Sequence, residues 1–151
     1  DINAETSTYP NSPSPSKNTK GLILCLLTHA DLGDEIQGNW CLPDFKKIDV
    51  DITYWQGQIN GVRLRIYSAV QGKATNEGGW DMAKHCPRPM RSLVPAGSVW
   101  YCTVEDGLPT TEHIKALHGQ RIGRDTDLGR GQLAVGLWQN SEFPDQLRNI
   151  L

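Results

Sequence analysis

Apolar residues along the chain fall into short blocks with two kinds of spacing. Leu22 to Thr28 (LILCLLT) is a continuous apolar run bounded by Gly21 and the turn region His29 to Gly33, which predicts a strand buried on both faces, with a short buried helix as the alternative. Ile48 to Trp55 (IDVDITYW) and Val62 to Ala69 (VRLRIYSA) alternate apolar and polar residues, so each predicts a strand with one face toward solvent. Between them, Gln58 to Gly61 (QING) supplies Asn60 and Gly61 for the left-handed positions of a type I′ hairpin turn. Pro95 to Gly97 predicts a turn, and Ser98 to Val104 (SVWYCTV), rich in β-branched and aromatic residues, predicts a strand leaving it.

The spacing changes at Thr110 to His118 (TTEHIKALH), which reads as an amphipathic helix. Pro109 precedes it, Thr110 or Thr111 caps it and Gly119 ends it; Ile114 and Leu117 face the core, His113 is exposed and His118 lies near the C-terminal end. Gln132 to Trp138 (QLAVGLW) predicts a last strand. The order strand, hairpin, long loop, strand, helix, glycine loop, strand suggests an antiparallel α+β sandwich.

Outside these blocks the chain is polar. Residues 1–20 are rich in Ser, Pro and Asn and nearly free of apolar side chains, which predicts a flexible linker or tail, and residues 140–151 predict a polar C-terminal tail. Residues 21–139 form the ordered domain, one domain being what 151 residues suggest. Asp31 to Asp44 is irregular and acidic, with Trp40, Leu42 and Pro43 expected to fold back as a lid. A first residue of Asp1 rather than Met reads as a processed product or a piece of a longer polypeptide.

Net charge is −2, which argues against a generic nucleic-acid binder. Its distribution changes that picture. Residues 1–60 carry 4 bases and 8 acids, residues 61–100 carry 6 bases and 2 acids, and residues 101–151 carry 5 bases and 7 acids, so positive charge gathers in the middle, where a local patch can steer a polyanion. That middle holds the densest stretch, Lys73 to Tyr101. Gly78 and Gly79 allow positive φ or close approach of another chain, and Trp80 adds a flat ring that either stacks on a base or enters the core. From Lys84 to Arg91 the bases Lys84, Arg88 and Arg91 stand without an acid, and Pro87 and Pro89 hold the backbone extended, so the segment predicts a stiff, exposed, cationic ribbon. Arg63 and Arg65 project from one side of their strand, either as a phosphate-tracking stripe or as an ordinary polar sheet face. Ile122 to Gly136 (IGRDTDLGRGQLAVG) combines glycines with Arg124 and Arg130, pairing close backbone approach with bidentate phosphate donors. It is neither a Walker loop nor a Rossmann fingerprint.

Other chemistries find little support. Cys25, Cys41, Cys86 and Cys102 form no CxxC pair, and His85 beside Cys86 has no second ligand pair, so neither metal nor cofactor is expected. The longest apolar run is far short of the ~20 residues a bilayer-spanning helix needs, so no membrane partner is expected.

The order GK, GGWD, PRPMRSLVPAGSVWY, a helix ending LHG, a glycine loop and LAVGLW resembles the C-terminal half of the RAMP-superfamily subunit that caps the foot of Cmr-type (type III) CRISPR effector complexes. The resemblance spans Leu22 to Trp138 and is most specific from Gly78 to Tyr101. It implies a ferredoxin-like (RRM-like) fold, binding of the repeat-derived 5′ handle of the crRNA, contacts with the large signalling subunit and backbone RAMP subunits, and a cytoplasmic place in antiviral defence. Family members are about twice as long, so an N-terminal RAMP half is expected elsewhere. By position, Gly78, Gly79, Trp80 and Asp81 match the GGWD run, Arg88, Arg91, Pro95, Gly97 and Ser98 match the proline-arginine and VPAGS segment, and Gly129, Arg130, Gly131 and Gly136 match the glycine loop. The expected RNA-binding set is Lys73, Gly78, Gly79, Trp80, Lys84, Arg88, Arg91, Arg124, Gly129, Arg130 and Gly131, with no catalytic residue. Two alternatives remain: a RAMP endoribonuclease using His29, His85, His113 or His118 as acid or base, and a structural interface module.

Overall fold

Leu22, Leu24 and Leu26 alternate with Ile23 and Cys25, and the alternation decides how the first strand sits. In the computed structural model, which describes residues 11–33 and 42–139, β1 spans Thr19–Leu26. The three leucines are fully buried while Ile23 and Cys25 are half-buried, so one face is sealed and the other partly open. The expectation of equal burial on both faces is corrected, because the helix covers only the leucine side. Thr19 and Lys20, assigned to the linker, already belong to β1. Residues 1–10, Trp40 and the tail at 140–151 lie outside the described residues; Leu42 is buried.

The run at 48–55 does not form one strand. β2 (Lys46–Asp49) and β3 (Thr53–Ile59) are separated by a turn that leaves Val50 and Ile52 exposed. The cause is local: the Asp49 carboxylate accepts from Lys47 Nζ at 2.6 Å and from the Thr53 hydroxyl across the turn. Those hydrogen bonds, Lys47 first, hold the Asp49 carboxyl below its usual range. β3 then pairs with β4 (Val62–Val70) through Asn60 and Gly61, whose φ of 46° and 79° are the left-handed pair that the hairpin turn requires. Asn60 Nδ2 also donates to Ala116 O at 2.9 Å, tying the hairpin to the helix.

The long loop folds into two small ribbons, β5 (Thr75–Glu77) with β8 (Arg91–Leu93) and, nested inside, β6 (Trp80–Asp81) with β7 (Cys86–Pro87). β9 (Val99–Val104) returns to the main sheet, α1 (Thr111–Leu117) follows, a 3-10 turn occupies Thr126–Leu128, and β10 (Leu133–Gln139) closes the order. The main sheet runs β10-β1-β9-β4-β3-β2, antiparallel at every neighbouring pair. This is an α+β protein with one six-stranded sheet and one described helix.

Register stacks the core. Leu24 lies opposite both Trp100 and Val135, and Leu22 opposite Cys102, so even-numbered residues of β1 and β9 share the buried face with Leu64, Ile66 and Leu133. Ile114 and Leu117 of α1 are buried in the same core, as their spacing predicts. Thr110 caps the helix: its hydroxyl accepts from His113 N while His113 Nδ1 accepts from Thr110 N, both at 3.3 Å. That reciprocal cap draws the His113 ring inward, so it is half-buried rather than exposed.

Candidate functional site

The nested ribbons are built by their turn residues. Asp81 Oδ1 accepts from the backbone N–H groups of Ala83 and Lys84, each at 3.0 Å, which winds the chain toward His85 at φ 50°. Arg88 N then donates to Gly79 O at 2.8 Å, closing the inner ribbon. The segment from Lys84 to Arg91 is exposed throughout, as the cationic-ribbon expectation has it. Trp80 is 53% exposed, and its alternative role as a core residue is thereby corrected: its strand is too far out on the ribbon to reach the main sheet.

At its base the outer ribbon is fastened to the body of the protein. Val94 and Ala30 exchange backbone hydrogen bonds of 2.9 Å. Next to them Asp31, buried, accepts from Gly33 N at 3.0 Å through Oδ1 and from Arg91 Nη1 at 3.1 Å through Oδ2. Arg91 Nη1 also donates to Asp125 Oδ2 at 2.5 Å, and that bond, then the Asp125 and Asp31 charges, push the Arg91 pKa further up. Across the cleft Arg130 Nη2 donates to Glu77 Oε2.

The glycine loop places those partners. Gly131 has φ 71°, and a Cβ there would run into the backbone of Ile122, whose N–H donates to Gly131 O at 2.9 Å. Gly131 N donates in turn to His29 O at 3.0 Å. Its lack of a side chain thus serves a chain-to-chain approach inside the protein. Gly129, at φ 83°, has open space around it.

Between ribbon and loop lies a cleft of about 390 Å³, walled by Gly78, Arg88, Arg91 and Arg130, by the acids Glu77, Asp81 and Asp125, and by Pro89 and Leu128. Four of the eleven expected site residues therefore meet there. Gly79, Trp80 and Lys84 sit beside it on the inner ribbon, Gly129 and Gly131 flank Arg130, and Lys73 is exposed ahead of β5. Arg124 is set behind Asp31, its backbone N–H donating to Asp31 O at 2.7 Å.

Sequence reasoning missed the acids. Asp31 is 60 residues from Arg91 and Asp125 is 34 away, so no local spacing announces either ion pair. With three carboxylates facing three guanidiniums the cleft is ionically balanced rather than simply basic. Arg88 forms no ion pair among the described residues and is the cation of the cleft with charge to spare. Arg63 and Arg65 meet acids on their sheet face. Arg63 pairs with Asp106 at 2.5 Å, Arg65 lies 3.7 Å from Glu105, and the Arg65 guanidinium sits over the Tyr54 ring at 5.5 Å.

The histidine side chains are engaged in different local contacts. His29 Nδ1 accepts from Ala96 N and His118 Nδ1 from Val135 N, both at 3.1 Å, while His113 belongs to the helix cap. Among the described residues no group of three or more His, Cys, Asp or Glu side chains is arranged to hold a metal, and no helix is long and apolar enough to cross a membrane.

An open antiparallel sheet with one helix, carrying an arginine-and-carboxylate cleft on a ribbon, is the architecture of the described residues; the family of the chain lies among the CRISPR-associated proteins. A family model described as CRISPR-associated protein (Cas_Cmr3) matches residues 4–138, most of the sequence, and the chain belongs to that family. It is accordingly a subunit of Cmr-type (type III) CRISPR complexes. No curated protein matches the chain.

Proposed function

We propose that the protein is a non-catalytic, RNA-binding subunit of the Cmr effector complex, holding the 5′ handle of the crRNA and contacting the large subunit and backbone subunits in the cytoplasm. The observation that carries this reading is the convergence of Gly78, Arg88, Arg91 and Arg130 on one cleft in a chain of this family. Single-stranded RNA needs cations along its backbone and flat faces for its bases, and Arg88, Lys84 and the exposed Trp80 offer both on one ribbon. A ferredoxin-like core is part of the same reading. Its support is the antiparallel order β10-β1-β9-β4, which is fourth, first, third, second when the β2–β3 hairpin is set aside, with α1 before the last strand. The non-catalytic assignment is supported by the histidines, three of which use Nδ1 to accept a backbone N–H.

The experiment is a salt titration of handle RNA binding. Arg88→Ala should weaken binding and reduce the slope of log affinity against log salt by about 0.7, the value for one lost phosphate contact on a single strand. Its unfolding midpoint should stay put, because Arg88 is exposed and makes no ion pair among the described residues. An unchanged slope and affinity would remove Arg88 from the interface. Trp80→Ala should cost roughly 1–3 kcal/mol of RNA affinity if the ring stacks on a base. With half its surface already in water, the same change should move stability by no more than about 0.5 kcal/mol. A large loss of stability with intact binding would reverse that assignment.

A further inference from the structure

From Thr75 to Ser92 every residue except Asp81 is exposed, so the nested ribbons have no apolar core of their own. Apolar anchoring begins only at their base, with the buried Leu93 and with Val94, which packs on the main core. An isolated two-stranded ribbon is marginal in water, because little burial offsets the entropy of ordering it. Its order then depends on what the body of the protein supplies. Glu77 lies opposite Arg91 in the ribbon register, and each of the two bonds to the body. Glu77 accepts from Arg130, and Arg91 donates to Asp125 at 2.5 Å and to Asp31 at 3.1 Å. One rung is thus clamped from both sides, β5 to the glycine loop and β8 to that loop and to the segment after β1.

We propose that the ribbon is a strap closed by charge: the clamp at the Glu77–Arg91 rung keeps residues 75–92 ordered, and rising ionic strength loosens them while the main sheet stands. The clamp is open to screening, since the side chains of Arg91, Asp125 and Glu77 keep 50%, 39% and 45% of their surface in contact with solvent. Ion pairs at such exposure are individually weak, and they decide the outcome here because the strap buries no apolar surface that would outweigh them. The strap also governs the cleft. Glu77, Arg88 and Arg91 line it from the ribbon, and Asp125, Leu128 and Arg130 line it from the glycine loop, so release of the clamp parts the two walls.

The test is amide hydrogen exchange on the full chain at about 0.05 M and about 1 M sodium chloride, the Debye length at the higher concentration being about 3 Å. Ladder amides of β5 and β8 should exchange about ten-fold faster at high salt, while those of β1 and β9 keep their rate. Glu77→Gln, with an unchanged unfolding midpoint, should exchange fast in the strap already at low salt and lose most of the salt response. Asp125→Asn should do the same from the other side of the rung, which separates the clamp from an effect peculiar to one side chain. Strap amides that exchange equally at both salt concentrations, or that stay protected in both variants, overturn the proposal. Equal acceleration in β1 and β9 overturns it too, because salt would then be loosening the whole fold.

Discussion

Gly131→Ala should destabilise the protein by about 3 kcal/mol or more, whereas Gly129→Ala, two residues earlier, should cost only about 1–2 kcal/mol. Both glycines have left-handed φ, 71° and 83°, so both substitutions carry the steric penalty of an L-residue there. Only Gly131 has a backbone in the way. A methyl group at Gly131 meets the carbonyl of Ile122, and that segment is itself pinned by the Ile122 N to Gly131 O and Gly131 N to His29 O hydrogen bonds. Neither strand of the contact can retreat without breaking one of them. Denaturant unfolding of the two variants checks this through the midpoint at constant slope. Equal midpoints would mean that the loop relaxes around the methyl group and that the Ile122 contact does not hold the cleft wall.

Trp100→Ala should cost about 3–5 kcal/mol, the range for deleting a large aromatic side chain from a core. Trp100 is fully buried on β9, opposite Leu24 of β1 and Ala69 of β4, at the centre of the six-stranded sheet. Its removal opens a cavity between the two strands on which the rest of the sheet is assembled. Trp100→Phe should cost distinctly less. The indole Nε1 is buried and has no hydrogen-bond partner among the described residues, so phenylalanine keeps most of the apolar contact and removes an unpaired donor. Thermal or denaturant unfolding distinguishes the two variants; an equal loss in both would show that the indole N–H is satisfied in solution.

The main sheet was largely legible in the sequence because its information is local. The alternation of Val62 to Ala69, the Asn60-Gly61 turn and the Ile114 and Leu117 spacing each specify an element through neighbours within a few residues. The run at 48–55 misled because alternation continues smoothly through residues 50–52. What interrupts it is the Asp49 side chain bonding to Lys47 and Thr53, which a hydrophobic pattern does not weigh. For the site, the sequence supplied the cations but not their counterions. Arg91 reads as a free base in Lys84 to Arg91, yet Asp31 and Asp125 reach it only after β1 and the glycine loop are packed side by side. The glycine loop was read as a place where a ligand approaches the backbone, and at Gly131 the approaching group is the backbone of Ile122.

These corrections narrow the proposal. Arg91 and Arg130 hold the cleft together through Asp31, Asp125 and Glu77, while Arg88 in the cleft wall and Trp80 on the inner ribbon are exposed. Holding the ribbon therefore falls to Arg91 and Arg130, and in the proposed function Arg88, Lys84 and Trp80 are the residues left to offer to the RNA.

The most direct test of the RNA-binding account is to recover the full chain from its native host at moderate salt, sequence the RNA that accompanies it and identify the proteins retained with it. The account predicts guide RNAs that share one 5′ handle, together with other subunits of the Cmr complex, and predicts that Arg88→Ala releases the RNA from a chain that remains folded. Recovery of a folded, RNA-free monomer under the same conditions would contradict it.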